Sequence, residues 1–113
     1  MEGETKVLDL IRDSVLRDIP GPIDLYLSKK ARDKFAILTW TGYLHPPANL
    51  KEKTELWVAF IDLMPGANFD HPVKYVFIDP GSGTIEVLDK LTPPNDLFEN
   101  YKRYADFIKG KEE

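Results

Sequence analysis

The stretch Leu56-Trp57-Val58-Ala59-Phe60-Ile61-Asp62-Leu63 decides the fold. Its apolar residues form two interleaved sets, with Leu56, Val58 and Phe60 on one side and Trp57, Ala59 and Ile61 on the other. Side chains of a strand alternate between its faces, so a strand apolar on both is central in a sheet or covered on both sides. Towards the C-terminus, Met64 to Pro72 reads as a loop and Val73 to Ile78 as a strand, with Val76 and Ile78 opposite Tyr75 and Phe77. Asp79-Pro80-Gly81-Ser82-Gly83 is a tight turn, because proline presets one dihedral and glycine supplies positive φ. Thr84 to Leu88 returns as a strand, so 73–88 is predicted to be a hairpin.

The remaining chain flanks this unit. Thr92-Pro93-Pro94-Asn95-Asp96 reads as the start of a last helix over 93–109, with Leu97 or Phe98, Tyr101, Tyr104 or Ala105, and Ile108 inward and Gly110 as its stop. On the other side, Leu44 to Asn49 is a proline-rich loop, followed by polar residues to Glu55. Phe35 to Tyr43 reads as one strand rich in aromatic and β-branched residues. Lys29 to Lys34 is a charged connection, and Ile23, Leu25 and Leu27 alternate with polar residues as a half-buried strand, against a competing helix over 23–34. Residues 4–19 repeat apolar positions at helical spacing (Val7 or Leu8, Ile11, Val15, Ile19), and Pro20-Gly21-Pro22 ends that helix. The order predicts an α+β domain spanning 1–113: an N-terminal helix, a mostly antiparallel sheet of about five strands, and a C-terminal helix.

Composition narrows the function. The chain has 113 residues, 15 Lys+Arg against 19 Asp+Glu, a net charge of -4, 12% aromatics and no cysteine. One domain is expected at this length, with a core that needs no staples. Absence of cysteine excludes a disulfide scaffold, a thiolate zinc site and a cysteine nucleophile. Mild acidity argues against nucleic acid as a partner, which requires a basic footprint. The acidic N-terminus lacks the pattern of a signal peptide, and no apolar run approaches the ~20 residues of a spanning helix. No membrane partner is therefore expected, and a cytoplasmic address is the default.

Asp62, Asp70, His71 and Asp79 carry acid–base and metal-ligand chemistry, and Asp62 is expected near the loop holding Asp70 and His71. Asp79 sits at the far end of the next strand, roughly 20 Å away at ~3.3 Å per residue. The four therefore do not converge, and no catalytic residue, metal site or cofactor is expected. His45 and His71 each precede proline, which holds their backbone extended. Gly81-Ser82-Gly83 opens a strand and not a helix, so it lacks the context of a phosphate loop. Trp40, Trp57, Tyr26, Tyr43 and Tyr75 either fill a core or line a groove on the face away from the N-terminal helix. The 45–49 and 64–72 loops are expected to meet at one end of the sheet as a contact rim.

Tyr75-Val76-Phe77-Ile78-Asp79-Pro80-Gly81-Ser82-Gly83-Thr84-Ile85-Glu86-Val87-Leu88 resembles the closing hairpin of PepSY-like modules, with a strand ending in Asp, a short glycine turn and a returning strand. Such modules are cystatin-like α+β architectures of protease pro-regions and of inhibitory or accessory domains. The long 44–55 linker, the Asn68 to Pro72 loop and the extra C-terminal helix depart from that pattern. The resemblance implies a non-catalytic, partner-binding role and carries over no site residue. The expectation is a non-enzymatic protein-interaction domain, in its most specific form an inhibitory, pro- or accessory module of a hydrolase. The candidate binding residues are Trp40, Tyr43, Trp57, Asp70 and His71. The alternatives are a small-ligand domain using Trp40 and Trp57 on an open sheet face, and then an enzyme using Asp70 and His71.

Overall fold

Helix α1 covers Glu2–Ser14 and passes into a 3-10 turn at Leu16–Asp18, in a computed structural model that describes residues 2–19, 23–31, 36–50, 52–64 and 70–104. Val7, Ile11 and Val15 recur every fourth residue and are buried, with Leu16 beside them. The helix is shorter than the sequence pattern predicts because its end tightens: Asp18 N–H donates to the Val15 carbonyl at 3.3 Å and Ile19 N–H to that of Leu16 at 3.1 Å. Pro20 to Pro22 lie outside the described residues.

β4 (Glu55–Asp62) is the middle strand of a five-stranded sheet in the order β6-β5-β4-β1-β7, where β1 is Asp24–Ala31, β5 Val73–Asp79, β6 Thr84–Lys90 and β7 Lys102–Arg103. Every pairing is antiparallel. β1 to β4 is set by Leu27↔Ala59, β4 to β5 by Ala59↔Val76, and β5 to β6 by Val76↔Val87. The expected 73–88 hairpin is present and extends to Lys90. Gly83 at its turn has φ +77°, a conformation open to glycine without a Cβ penalty.

The central position of β4 explains its two apolar faces. Ala59 and Ile61 pack with Leu25, Leu27, Val76, Ile78 and the α1 residues Val7 and Ile11; Trp57 is half-buried at the margin of this layer. Leu56, Val58 and Phe60 pack on the opposite face with Tyr26, Tyr75, Phe77, Ile37, Leu44, Leu50, Leu97 and Tyr101. Each large side chain fully removed from water contributes about 1.5–3 kcal/mol, so both layers are needed to hold the sheet.

The second layer contains the main departures from the sequence reading. The stretch expected as one strand over 35–43 is a hairpin, β2 (Ile37–Thr39) and β3 (Gly42–Leu44), turning at Trp40-Thr41; Phe35 lies outside the described residues. Alternation continued unbroken through the turn, and its one glycine, Gly42, carries the required positive φ of +120°. Lys29, Lys30 and Ala31 belong to β1 and not to a charged connection, and the competing helix over 23–34 does not form within 23–31. Leu50 is buried in a 3-10 turn, Ala48–Leu50, where a polar segment was expected.

The C-terminal helix expected over 93–109 is a single turn, α2 (Leu97–Asn100), followed by β7. Pro94 does not start a helix: it forms a bridge with Thr39, and Asn95 N–H donates to the Leu38 carbonyl at 2.9 Å. Beyond α2 the chain pairs with the edge of β1, where Arg103 reaches Asp24 at 2.8 Å and Tyr104 N–H donates to the Leu25 carbonyl at 2.8 Å. Tyr101 joins the hairpin-side layer and Tyr104 the helix-side layer. The positions 105–109 of the expected helix lie outside the described residues.

Candidate functional site

The β2–β3 hairpin lies over the sheet face opposite α1, and alternation divides its side chains. Ile37, Thr39 and Leu44 turn inward and are buried; Leu38, Trp40 and Tyr43 turn outward, at 44%, 84% and 66% exposure. Thr39 fixes the turn: its hydroxyl donates to the Gly42 carbonyl at 2.8 Å and accepts from the Thr41 N–H at 3.3 Å. A tryptophan so exposed on a backbone so constrained leaves a large apolar area in water, which is common at contact surfaces.

Beside the hairpin runs a groove of about 440 Å³. One wall is β3 with Thr39, Thr41 and Tyr43; the other is formed by Asp70 and the segment 89–92 that leaves β6. Leu91, 57% exposed, stands on that second wall. Asp89 is occupied by Lys74 at 2.6 Å. Neither Asp70 nor Lys90 forms an ion pair among the described residues.

Behind this wall the buried His71 meets Asp62 at the end of β4, Nε2 to Oδ1 at 2.7 Å. An ionised carboxylate only accepts, so Nε2 carries the proton in that bond. The same Oδ1 accepts from the Met64 N–H at 2.9 Å, and the His71 N–H donates to the Leu91 carbonyl at 3.3 Å. His71 thus braces the wall that holds Asp70 and Leu91. Asp62 does lie near the 70–71 loop, as expected. Asp79 is at the other end of β5, where it pairs with Lys53 at 2.9 Å and accepts from Ser82 at 2.8 Å. The Lys53 and Ser82 hydrogen bonds hold its carboxyl below the usual aspartate range.

The five aromatics do not line one groove. Tyr26 and Tyr75 are buried under the hairpin, and Tyr75 donates its hydroxyl to the Thr92 carbonyl at 2.7 Å. Burial raises the pKa of both phenols. Trp57 belongs to the α1 side of the sheet, with the Lys29 ammonium 5.9 Å from its ring. Trp40 and Trp57 are therefore on opposite sides of the molecule. Of the candidate binding residues, Tyr43 and Asp70 share the groove, Trp40 stands at the adjoining turn, His71 supports the wall, and Trp57 is apart. Of the expected common rim, Asn49 of the proline-rich stretch reaches Glu86 on β6 at 2.9 Å, and residues 65–69 of the other loop lie outside the described residues. Thr41, Lys90 and Leu91 were not anticipated; a lone exposed leucine between charged residues and Thr-Pro-Pro was the available signal.

Among the described residues no group of three His, Asp or Glu side chains could hold a metal ion, and no helix is long and apolar enough to cross a membrane. Comparison with protein-family models, with curated proteins and with solved structures finds no match.

Proposed function

We propose that this chain is a non-enzymatic protein-interaction domain that meets its partner through the outer face of the β2–β3 hairpin. Its most specific form is an inhibitory, pro- or accessory module of a hydrolase. The observation carrying this reading is the exposure of Trp40, Tyr43 and Leu38 together on one hairpin whose inner face is anchored in the core. Aromatic side chains held rigidly in water lose little entropy on binding and are the commonest anchors of interfaces. The second reading, a small ligand held by Trp40 and Trp57 on an open sheet face, is disfavoured because Trp40 stands on the hairpin and Trp57 on the α1 side of the sheet.

A photoreactive phenylalanine derivative placed at Trp40, in cells that make the protein, tests the proposal. The expected result is a covalent adduct with one polypeptide, a hydrolase in the specific form, and a much weaker adduct from the control position Val87 on β6. Equal labelling from both positions, or no polypeptide adduct, overturns it. With the partner in hand, Trp40→Ala is expected to weaken binding by about 2 kcal/mol or more, a loss of roughly thirtyfold.

A further inference from the structure

We infer that the groove beside β3 receives an extended segment of a partner polypeptide, which adds to the hairpin as a third strand. The inference rests on the interaction-domain reading and names the mode of recognition.

Strand pairing within the small sheet provides the first argument. Leu38 lies opposite Tyr43, and the Leu38 carbonyl accepts from Asn95 on the side away from β3. In an antiparallel ladder, a residue whose main-chain groups point outward faces a partner whose groups also point outward. The Tyr43 N–H and C=O are therefore directed away from β2, into the groove that Tyr43 lines. The other edge of this sheet is already covered, since Pro94 bridges Thr39. Among the described residues no strand pairs with the open edge of β3. An unpaired donor and acceptor at an edge are what an added strand satisfies.

The side chains around the groove define the segment. Tyr43 and Leu91 offer apolar surface, and Asp70 and Lys90 contribute one charge of each sign that no described residue neutralises. Side chains of an extended chain alternate, so one face presents apolar residues while the other carries a basic residue for Asp70 and an acidic one for Lys90. Among the described residues β6 also has an open edge, but Glu86 and Asp89 place charge along it, a usual protection against strand addition.

The test titrates the isotope-labelled full chain with the peptide acetyl-Val-Arg-Val-Glu-Val-amide, followed by amide hydrogen exchange and chemical shifts. Tyr43 amide exchange is expected to slow about tenfold, with shift changes at Leu44, Asp70 and Leu91. A peptide of the same sequence, N-methylated at alternate residues so that its main chain cannot pair, is expected to leave Tyr43 unprotected. Asp70→Asn is expected to weaken binding of the unmodified peptide about threefold to tenfold, in a salt-dependent manner. Equal binding of the methylated peptide, or no protection of Tyr43 at millimolar peptide, overturns strand addition. Protection that appears without peptide and grows with protein concentration assigns the edge to a second copy, and also overturns it. An adduct at Trp40 with any of these outcomes leaves the interaction reading standing; loss of that adduct removes both.

Discussion

Tyr101 and Tyr75 share one apolar layer but differ in one bond. Tyr75 donates its hydroxyl to the Thr92 carbonyl, whereas the buried Tyr101 hydroxyl has no hydrogen-bond partner among the described residues. A buried polar group left unpaired costs about 1–3 kcal/mol, and a satisfied one contributes about 1 kcal/mol. Tyr101→Phe is therefore expected to stabilise the fold by about 1 kcal/mol, and Tyr75→Phe to destabilise it by a similar amount, both read from urea midpoints at unchanged slope. The ring of Tyr101 lies 4.7 Å from the Lys30 ammonium, a contact that phenylalanine retains in weaker form. Gly42 makes a separate case. A Cβ there meets nothing within 4 Å among the described residues, so the obstacle to alanine is the φ of +120°. Gly42→Ala is expected to cost about 1 kcal/mol or more through strain alone, seen as a lower melting temperature with no change at the sheet.

At the scale of elements, the β5–β6 turn is held by charge as well as by glycine. Asp79 accepts from Lys53, Ser82 and the Gly81 N–H, and its carboxyl is held below the ordinary range, chiefly by Lys53. A carboxyl lowered in the folded state stabilises above its unfolded pKa of about 3.9 and loses that contribution as pH falls through the folded value. Acid unfolding of Asp79→Asn, followed by circular dichroism, is expected to show a flatter dependence below about pH 4, together with lower stability at neutral pH. These elements also show what sequence patterns reveal. β4, β5 and β6 were legible because each is a run of seven or eight residues rich in apolar types and bounded on at least one side by aspartate, proline or glycine. The β2–β3 hairpin was not: Ile37 to Leu44 alternates across a turn whose outer residue, Trp40, looks like one more strand position. The last segment misled for the opposite reason. Leu97 and Tyr101 are spaced for a helix and are both buried, yet the second of them leads into a strand that pairs with β1 over Tyr26 and Leu27. Tertiary pairing there overrides local preference. The site followed the same division: Tyr43 and Asp70 could be nominated as residue types, but their meeting depends on a hairpin the pattern concealed.

At the scale of the whole molecule, the two tryptophans report on two different layers. Trp40, 84% exposed, is expected to be quenched freely by acrylamide, and Trp57, half-buried against the α1 layer, much less so. Trp40→Phe is expected to leave stability within about 0.5 kcal/mol, whereas Trp57→Ala loses packed area and is expected to cost about 2 kcal/mol. If both variants lower stability equally, Trp40 belongs to the packed structure and the hairpin face is not a free surface. The hairpin is an insertion between β1 and β4, two strands that already pair with each other. It is attached to the sheet through Ile37 and Leu44, whose burial is worth about 3–6 kcal/mol together, and to the 94–95 segment through the Thr39–Pro94 bridge and the Asn95 bond to the Leu38 carbonyl. Of its eight residues, the outward Leu38, Trp40 and Tyr43 lie outside the buried core, so substitutions there leave the strand register beneath unchanged. The surface assigned to recognition is thus the one whose sequence the architecture constrains least.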